Sequence, residues 1–488
     1  MAFPLSLLYP EIILTGLGLL LLCTDLLLGR ESKKGLMYLT IVGAAAAAAA
    51  LVPLAGLRQE ILEGTMLLDP FAVFFKAVAL AILVLVALVS WEYVERNRIR
   101  SGEFFALLTF ATLGLMFMVS SRDLITIYLG LELSSISTYI LAGIMRDDAH
   151  SNEAAVKYFL VGTLASGVLL YGMSLLYGVA GTTYLPEIAR VLQGAAGGTA
   201  GVGAAAGNGG LSALAVVATI FLVGGFGFKI AAVPFHMWVP DTYEGAPTPV
   251  TAFISVGPKA AALAVLLRVF PGGLEGTGAQ WTVIFAFLAA VSMTLGNLTA
   301  LTQPNIKRML GYSSIAQLGY ILIGLVTWRE QGGAAILFYV LTYSIANLSA
   351  FAVIIAAGNR LGSDELDAYA GLSQKSPLAA WTLTVAFAAL IGIPPTGVFF
   401  GKFFIFMSAL QGGYLWLALL LAANSVISAG YYFGVVRRMF LVPPTVDTPV
   451  QLPRALSLAA LLTLAAVLAT GLAVEPLFRW ASLAAVLP

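Results

Sequence analysis

Six ionisable side chains fall where an apolar helix should carry none: Glu132, Lys157, Lys229, His236, Lys259 and Lys402. A charge at the centre of a bilayer costs on the order of 3 kcal/mol on insertion scales, so an acid or base held there is a functional candidate by default. Their types suit proton handling. A carboxylate can take up a proton, and an imidazole with an ordinary pKa of about 6.5 can pass one on near neutral pH. A lysine in a dry interior loses affinity for its proton, and a carboxylate beside it restores that affinity. Glu132 and Lys229 are expected to form such a switchable pair. The proton would leave Lys229 through His236 toward Lys259, and Lys402 would pass it to the outer face, with water chains completing the path. Plainer readings stand beside this one. Glu132 or Lys259 would serve a structural ion pair, Lys229 and Lys402 would extend their stems toward an interface, Lys157 would snorkel from the first turn of its helix, and His236 would be a satisfied core histidine. Lys76 lies inside an apolar run without further support and is read as structural, and His150 lies in a polar loop.

The elements that must position these residues are membrane helices. Of the 488 residues, 60% are hydrophobic and only 10% charged, whereas ordinary soluble domains carry roughly 25% charged residues. Lipid offers no partners to backbone N–H and C=O groups, so a span needs about 20 apolar residues folded as a helix. The apolar runs are long and unbroken, which excludes the alternation of a barrel strand. A net charge of +1 provides no basic stripe for nucleic acid. The single cysteine, Cys23, cannot supply the thiolates of an iron–sulfur cluster, and no haem-attachment motif occurs. Gly224-Gly225-Phe226-Gly227-Phe228-Lys229 is not a phosphate loop, because Gly-Lys-Ser/Thr is missing. Met1 to Leu8 lacks a basic leader region, so the first helix is expected to be retained.

Apolar runs bounded by charges, glycines and prolines predict about fourteen spans. The first seven run over Leu5–Leu28, Gly35–Leu57, Phe71–Ser90, Phe104–Ser121, Leu124–Ile144, Ala154–Tyr177 and Leu211–Ala232. The others run over Pro249–Phe270, Trp281–Leu301, Ile306–Thr327, Gly332–Ala357, Leu378–Leu410, Leu415–Phe440 and Ala455–Leu477. Gly194 to Gly210 reads as a low-complexity loop. Alternating the loops puts fourteen Lys and Arg residues on one side and six, including Arg268, on the other. Cations concentrate in cytoplasmic loops, so both termini are expected on the outer face.

Ala154–Val161 resembles Ala334–Leu341 at an offset of 180 residues, Ser134-Ser135-Ile136 recurs as Ser313-Ser314-Ile315 at 179, and Lys229 and Lys402 are 173 apart. These matches predict two copies of a five-helix unit, helices 4–8 and 9–13, in segments 101–270 and 281–440. A three-helix segment (1–100) precedes them and a terminal helix (455–488) follows. An odd number of spans inverts the second copy, a transporter arrangement. Gly224 to Pro234 and Gly392 to Lys402 join helix breakers to a lysine, so spans seven and twelve should be interrupted. Leu378–Leu410 as one helix would be about 50 Å long and must break or tilt.

At Phe228-Lys229-Ile230-Ala231-Ala232-Val233-Pro234-Phe235-His236-Met237-Trp238-Val239-Pro240-Asp241-Thr242-Tyr243-Glu244-Gly245-Ala246-Pro247-Thr248-Pro249 and at Asn305-Ile306-Lys307-Arg308-Met309-Leu310-Gly311-Tyr312-Ser313-Ser314-Ile315, the chain resembles the antiporter-like membrane subunits of the proton-pumping NADH:quinone oxidoreductase, respiratory complex I. The resemblance covers nearly the whole chain. It implies fourteen helices with two inverted repeats, broken helices 7 and 12, and a central hydrophilic axis. It further implies that Glu132, Lys157, Lys229, His236, Lys259 and Lys402 match the family's proton-transfer positions. By the same resemblance, other membrane subunits, antiporter-like siblings among them, are partners within the bilayer. NADH, flavin, iron–sulfur clusters and quinone belong to neighbouring subunits, and no cofactor is assigned to this chain. Lys402, where M-type subunits resemble a glutamate, and the absence of the lateral helix of L-type subunits favour the N type. The implied location is a bacterial inner membrane, with a thylakoid or organellar membrane as the alternative. A multisubunit cation/proton antiporter would use the same buried lysines without any redox enzyme.

Overall fold

A computed structural model describes residues 5–27, 33–196, 208–444 and 454–486. Three helices come first: α1 (Tyr9–Leu27), α2 (Lys34–Leu51) and α3 (Pro70–Arg96). They are followed by α4 (Ser101–Ser120), α5 (Leu124–Ala142), the long α6 (Ala149–Ala180), the short amphipathic α7 (Leu185–Ala196), α8 (Asn208–Ile230), α9 (Trp238–Gly245) and α10 (Thr248–Gly273). Then come α11 (Gly278–Ala300), α12 (Ile306–Val326), α13 (Gly333–Leu361), the single turn α14 (Leu372–Lys375), α15 (Pro377–Ile391), α16 (Gly397–Gln411) and α17 (Leu415–Leu441). The last two are α18 (Arg454–Leu472) and α19 (Val474–Ala484).

Twelve helices among the described residues are long and apolar enough to cross a membrane. A thirteenth span results if α18 and α19, bent by 82°, are counted together. The remaining expected span, Leu378–Leu410, is divided into the shorter apolar helices α15 and α16. The break spans Gly392 to Thr396, and Gly392 has φ +92, a left-handed conformation that costs a glycine little. The other interruption falls after Lys229: α8 ends at Ile230, and Ala231 turns the chain at φ +60 before α9 begins.

Local chemistry sets many helix starts. Asp69 caps α3 by accepting from Ala72 N at 2.8 Å, and Asp123 caps α5 by accepting from Ile125 N and Thr126 N at 2.9 and 3.0 Å. Asn305 caps α12 through Lys307 N at 2.9 Å. Each side chain satisfies donors that the first helical turn leaves unpaired. Tight packing depends on small residues, since van der Waals fit is the main attraction between helices in lipid. A Cβ at Gly114 of α4 would stand 2.6 Å from the Gly130 carbonyl oxygen of α5, and one at Gly319 of α12 would stand 2.5 Å from Met293 N of α11.

Several expectations need correction. The all-helical membrane architecture holds, with one short addition: Gln59–Ile61 and Met66–Leu68 form an antiparallel hairpin with Glu60 opposite Leu67. Helix covers 194–196 and resumes at 208, so only 197–207 of the expected Gly194–Gly210 loop remains, and those residues lie outside the described ones. α6 begins at Ala149, which moves Lys157 two turns into its helix rather than into the first turn. Arg268, counted as a loop cation, is buried in α10.

Candidate proton-transfer site

The break after α8 sets the Lys229 ammonium against α5. Its Nζ donates to Ser135 Oγ at 2.8 Å and to Tyr139 OH at 3.2 Å. Ser135 gives its own proton to the Leu131 carbonyl at 2.6 Å, which leaves its lone pairs free for the lysine. The Tyr139 and Phe228 rings lie 5.6 and 5.3 Å from the ammonium. The expected Glu132–Lys229 pair does not form as an ion pair: no such contact within 4.0 Å occurs among the described residues. Glu132 lies one turn before Ser135 on the same helix, and one of its carboxylate oxygens is buried without a hydrogen bond.

Lys259, buried midway along α10, donates to Ser314 Oγ of α12. The same hydroxyl lies 3.0 Å from Tyr343 OH of α13 and 3.4 Å from Tyr243 OH of α9. A serine oxygen has two lone pairs and one proton, so it cannot accept from all three groups at once. With Lys259 donating, one tyrosine at a time can donate to the remaining lone pair, and side chains of four helices meet at one hydroxyl.

Lys402 stands across the second break. Its Nζ donates to the Leu390 and Ile391 carbonyls at 3.0 and 2.9 Å, two acceptors at the end of α15 that no following helical turn satisfies. The Tyr320 ring lies 4.6 Å away. Gln317 Nε2 also donates to the Leu390 carbonyl, at 2.9 Å, and Gln317 Oε1 accepts from Tyr339 OH at 2.5 Å. Behind Tyr320, Asn297 Nδ2 donates to its hydroxyl at 2.7 Å and Asn297 Oδ1 accepts from Tyr431 OH at 3.0 Å.

One face of α13 joins these groups. Tyr339, Tyr343 and Asn347 recur every fourth residue, span about 12 Å along the helix axis, and meet Gln317, Ser314 and Ser255 in turn. Asn347 donates to Ser255 at 2.6 Å, and Ser255 lies one turn before Lys259 on α10. Polar side chains therefore fill the space between Lys259 and Lys402 in two hydrogen-bonded sets on this face, Lys259–Ser314–Tyr343 and Tyr339–Gln317–Leu390 carbonyl–Lys402. None of these connectors stood among the sequence candidates. The four-residue spacing of polar side chains in an otherwise apolar α13 is the signal that could have found them.

The other candidates lie elsewhere. His236 is buried in the break between α8 and α9 and makes no direct hydrogen bond to Lys229 or Lys259, the groups it was expected to link with the help of water chains. Lys157, with its side chain 45% exposed, pairs with Glu153 at 2.7 Å and Asp241 at 2.8 Å. Arg308 holds the other oxygen of Asp241 at 2.7 Å and Glu244 at 2.9 Å. This surface cluster ties α6, α9 and α12 together and is separate from the buried lysines. Lys76, read as structural, forms a fully buried ion pair with Glu11 at 2.6 Å, and Arg268 pairs with Asp69 at 2.7 Å.

A family model described as NADH:quinone oxidoreductase/Mrp antiporter, transmembrane, matches residues 121–428, a stretch that contains both breaks and Lys229, Lys259 and Lys402. The chain belongs to this family. Among the relatives of the NADH:quinone oxidoreductase/Mrp antiporter family, it is 52% identical over 440 residues to NADH-quinone oxidoreductase subunit N 2 of Symbiobacterium thermophilum, covering 89% of this chain and 85% of that protein. It is similar to a chain of respiratory complex I from Thermus thermophilus with bound aureothin, at TM-score 0.79 and 33% identity over 96% of this chain and 98% of that one. The fold is shared as well with a chain of the Mrp complex from Dietzia, at TM-score 0.82 and 21% identity over 99% of this chain and 96% of that one.

Proposed function

We propose that this chain is a proton-translocating membrane subunit of an NADH:quinone oxidoreductase, and that Lys229, Lys259 and Lys402 carry protons through it. The observation that carries the proposal is how these lysines are held. Each is buried in a span or at its break, and each donates only to hydroxyls or carbonyls. An ammonium bonded only to neutral acceptors can release its proton without leaving a buried carboxylate unpaired, whereas a locked ion pair such as Lys76–Glu11 cannot. Glu132 is the charge whose approach or withdrawal would set the state of Lys229. His236 would act through water, and Lys157 would stand outside the buried line at the surface cluster.

A relative named as a subunit of the redox enzyme, at 52% identity, supports this reading over a stand-alone cation/proton antiporter, for which the likeness is one of fold. In this reading NADH, flavin, iron–sulfur clusters and quinone are handled by partner subunits, with antiporter-like siblings beside this chain in a bacterial inner membrane and both termini on the outer face. Two inverted five-span units, 101–270 and 281–440, belong to the same proposal. It is supported by the lysine beside each break and by Ser135 and Ser314, 179 residues apart, each accepting from a buried lysine.

The test is Lys229→Ala, with quinone reduction and proton pumping measured side by side in membranes where assembly of the complex is verified. Both should fall while assembly persists. Unchanged rates would refute the proton path, and failure of the chain to co-purify with flavin- and cluster-bearing subunits would favour the antiporter.

A further inference from the structure

The carbonyls that hold Lys402 owe their positions to the Gly392–Thr396 break, and that break has a neighbour from outside the family-matched region 121–428. α18 packs against it backbone to backbone. A Cβ at Gly471 would overlap the Pro395 carbonyl oxygen and stand 2.6 Å from the carbonyl carbon and 2.9 Å from Thr396 Cα. From the opposite side, a Cβ at Gly397, the first residue of α16, would stand 2.5 Å from Thr470 Oγ1. Only glycine at both positions permits this approach.

Immediately beyond, the chain turns by 82° at Ala473 into α19. α19 then returns to the same helix further along: the Phe478 ring lies 4.0 Å from that of Phe404 on α16 and 6.0 Å from that of Phe338 on α13. Trp480 anchors α19 against Phe74 of α3 at 4.5 Å. Lys402 lies between the two grips, at Gly397 and at Phe404, and a Cβ at Gly392 would stand 3.0 Å from its Cδ.

We propose that the α18–α19 elbow is a clamp that sets the geometry of the Lys402 site, with Gly471 as its positioning residue: it seats the break so that the Leu390 and Ile391 carbonyls face the Lys402 ammonium. The inference rests on the proton-carrying reading of Lys402. Gly471 touches neither Lys402 nor any proton carrier, so its effect must pass through the break. Adding one methyl group there forces Pro395 away from α18, and the carbonyls one turn earlier move with it.

The experiment compares Gly471→Ala, Lys402→Ala, Lys402→Arg and the double variant Gly471→Ala/Lys402→Ala in membranes, with rates normalised to assembled complex. Gly471→Ala is expected to lower proton pumping by up to about a hundredfold, the loss that ångström-scale misplacement of a reacting group brings. It should also move the pH profile of quinone reduction in the same direction as Lys402→Arg. In the Lys402→Ala background it should cause no further loss, because residues acting through one group are not additive. Wild-type rates and pH profile, or a full additional loss in the double variant, would overturn the clamp. If Gly471→Ala does not assemble, Phe478→Leu, which thins the grip on Phe404, replaces it in the same comparison and is judged by the same outcomes. Unchanged pumping in Lys402→Ala would instead remove the proton-carrying reading itself, whereas a Lys402 effect without a Gly471 effect removes only the clamp.

Discussion

Ser314→Ala tests the point where four helices share one hydroxyl. The serine is buried, accepts from the Lys259 ammonium, and lies 3.0 and 3.4 Å from the hydroxyls of Tyr343 and Tyr243. Removing the oxygen deletes a hydrogen bond to a charged donor, worth about 1.5–3 kcal/mol, and leaves tyrosine hydroxyls without that partner. If the same bond holds Lys259 ready for transfer, its loss converts, at about 1.4 kcal/mol per decade, to roughly a tenfold to hundredfold slower step. The assay is NADH-driven quinone reduction together with proton uptake in membrane vesicles, normalised to assembled complex. Ser314→Thr, which keeps a hydroxyl in place, should retain most of the rate. An assembled Ser314→Ala complex that pumps at the wild-type rate would refute the inference that protons pass from Lys259 through this oxygen.

Two further predictions concern ion pairs that do not belong to the line. Lys76→Met strands the Glu11 carboxylate in a site where both partners are almost fully enclosed, so it should cost about 3–5 kcal/mol, read as a fall in thermal stability of the purified complex. Glu11→Leu combined with Lys76→Met should recover most of that loss, and a double variant as unstable as the single one would contradict the ion-pair explanation. Lys157→Ala removes a half-exposed partner of Glu153 and Asp241; its stability cost should stay below about 1 kcal/mol, and pumping should fall far less than in Lys229→Ala. A loss equal to that of Lys229→Ala would put Lys157 on the path.

The fold was largely legible because the bilayer leaves few choices. Long apolar runs have to be helices where no water can satisfy the backbone, so span positions followed from composition, and most ends agree with the expected ones to within a few residues. Breakers beside Lys229 and Lys402 announced both interruptions for the same reason: a glycine with φ +92 and prolines without an N–H cannot continue a helix. Hydropathy could not reveal the Gln59–Leu68 hairpin or the sharp turn into α19, because both depend on contacts with other parts of the chain.

The amino-acid sequence by itself determined which residues are costly to bury, and thus that Lys229, Lys259 and Lys402 need a reason to be there. Only the tertiary structure decided what each of them touches. Glu132 looked like the partner of Lys229 because opposite charges attract, yet the chain supplies Ser135 and Tyr139 at hydrogen-bonding distance and leaves the carboxylate further off. The polar groups between Lys259 and Lys402 are Ser314, Tyr343, Gln317 and Tyr339, residues of ordinary type whose placement there arises from helix packing. A buried charge is a property of one position and can be read along the chain. A hydrogen-bonded cluster is a property of distances between helices, which depend on glycines such as Gly114, Gly319 and Gly471 that carry no chemistry of their own.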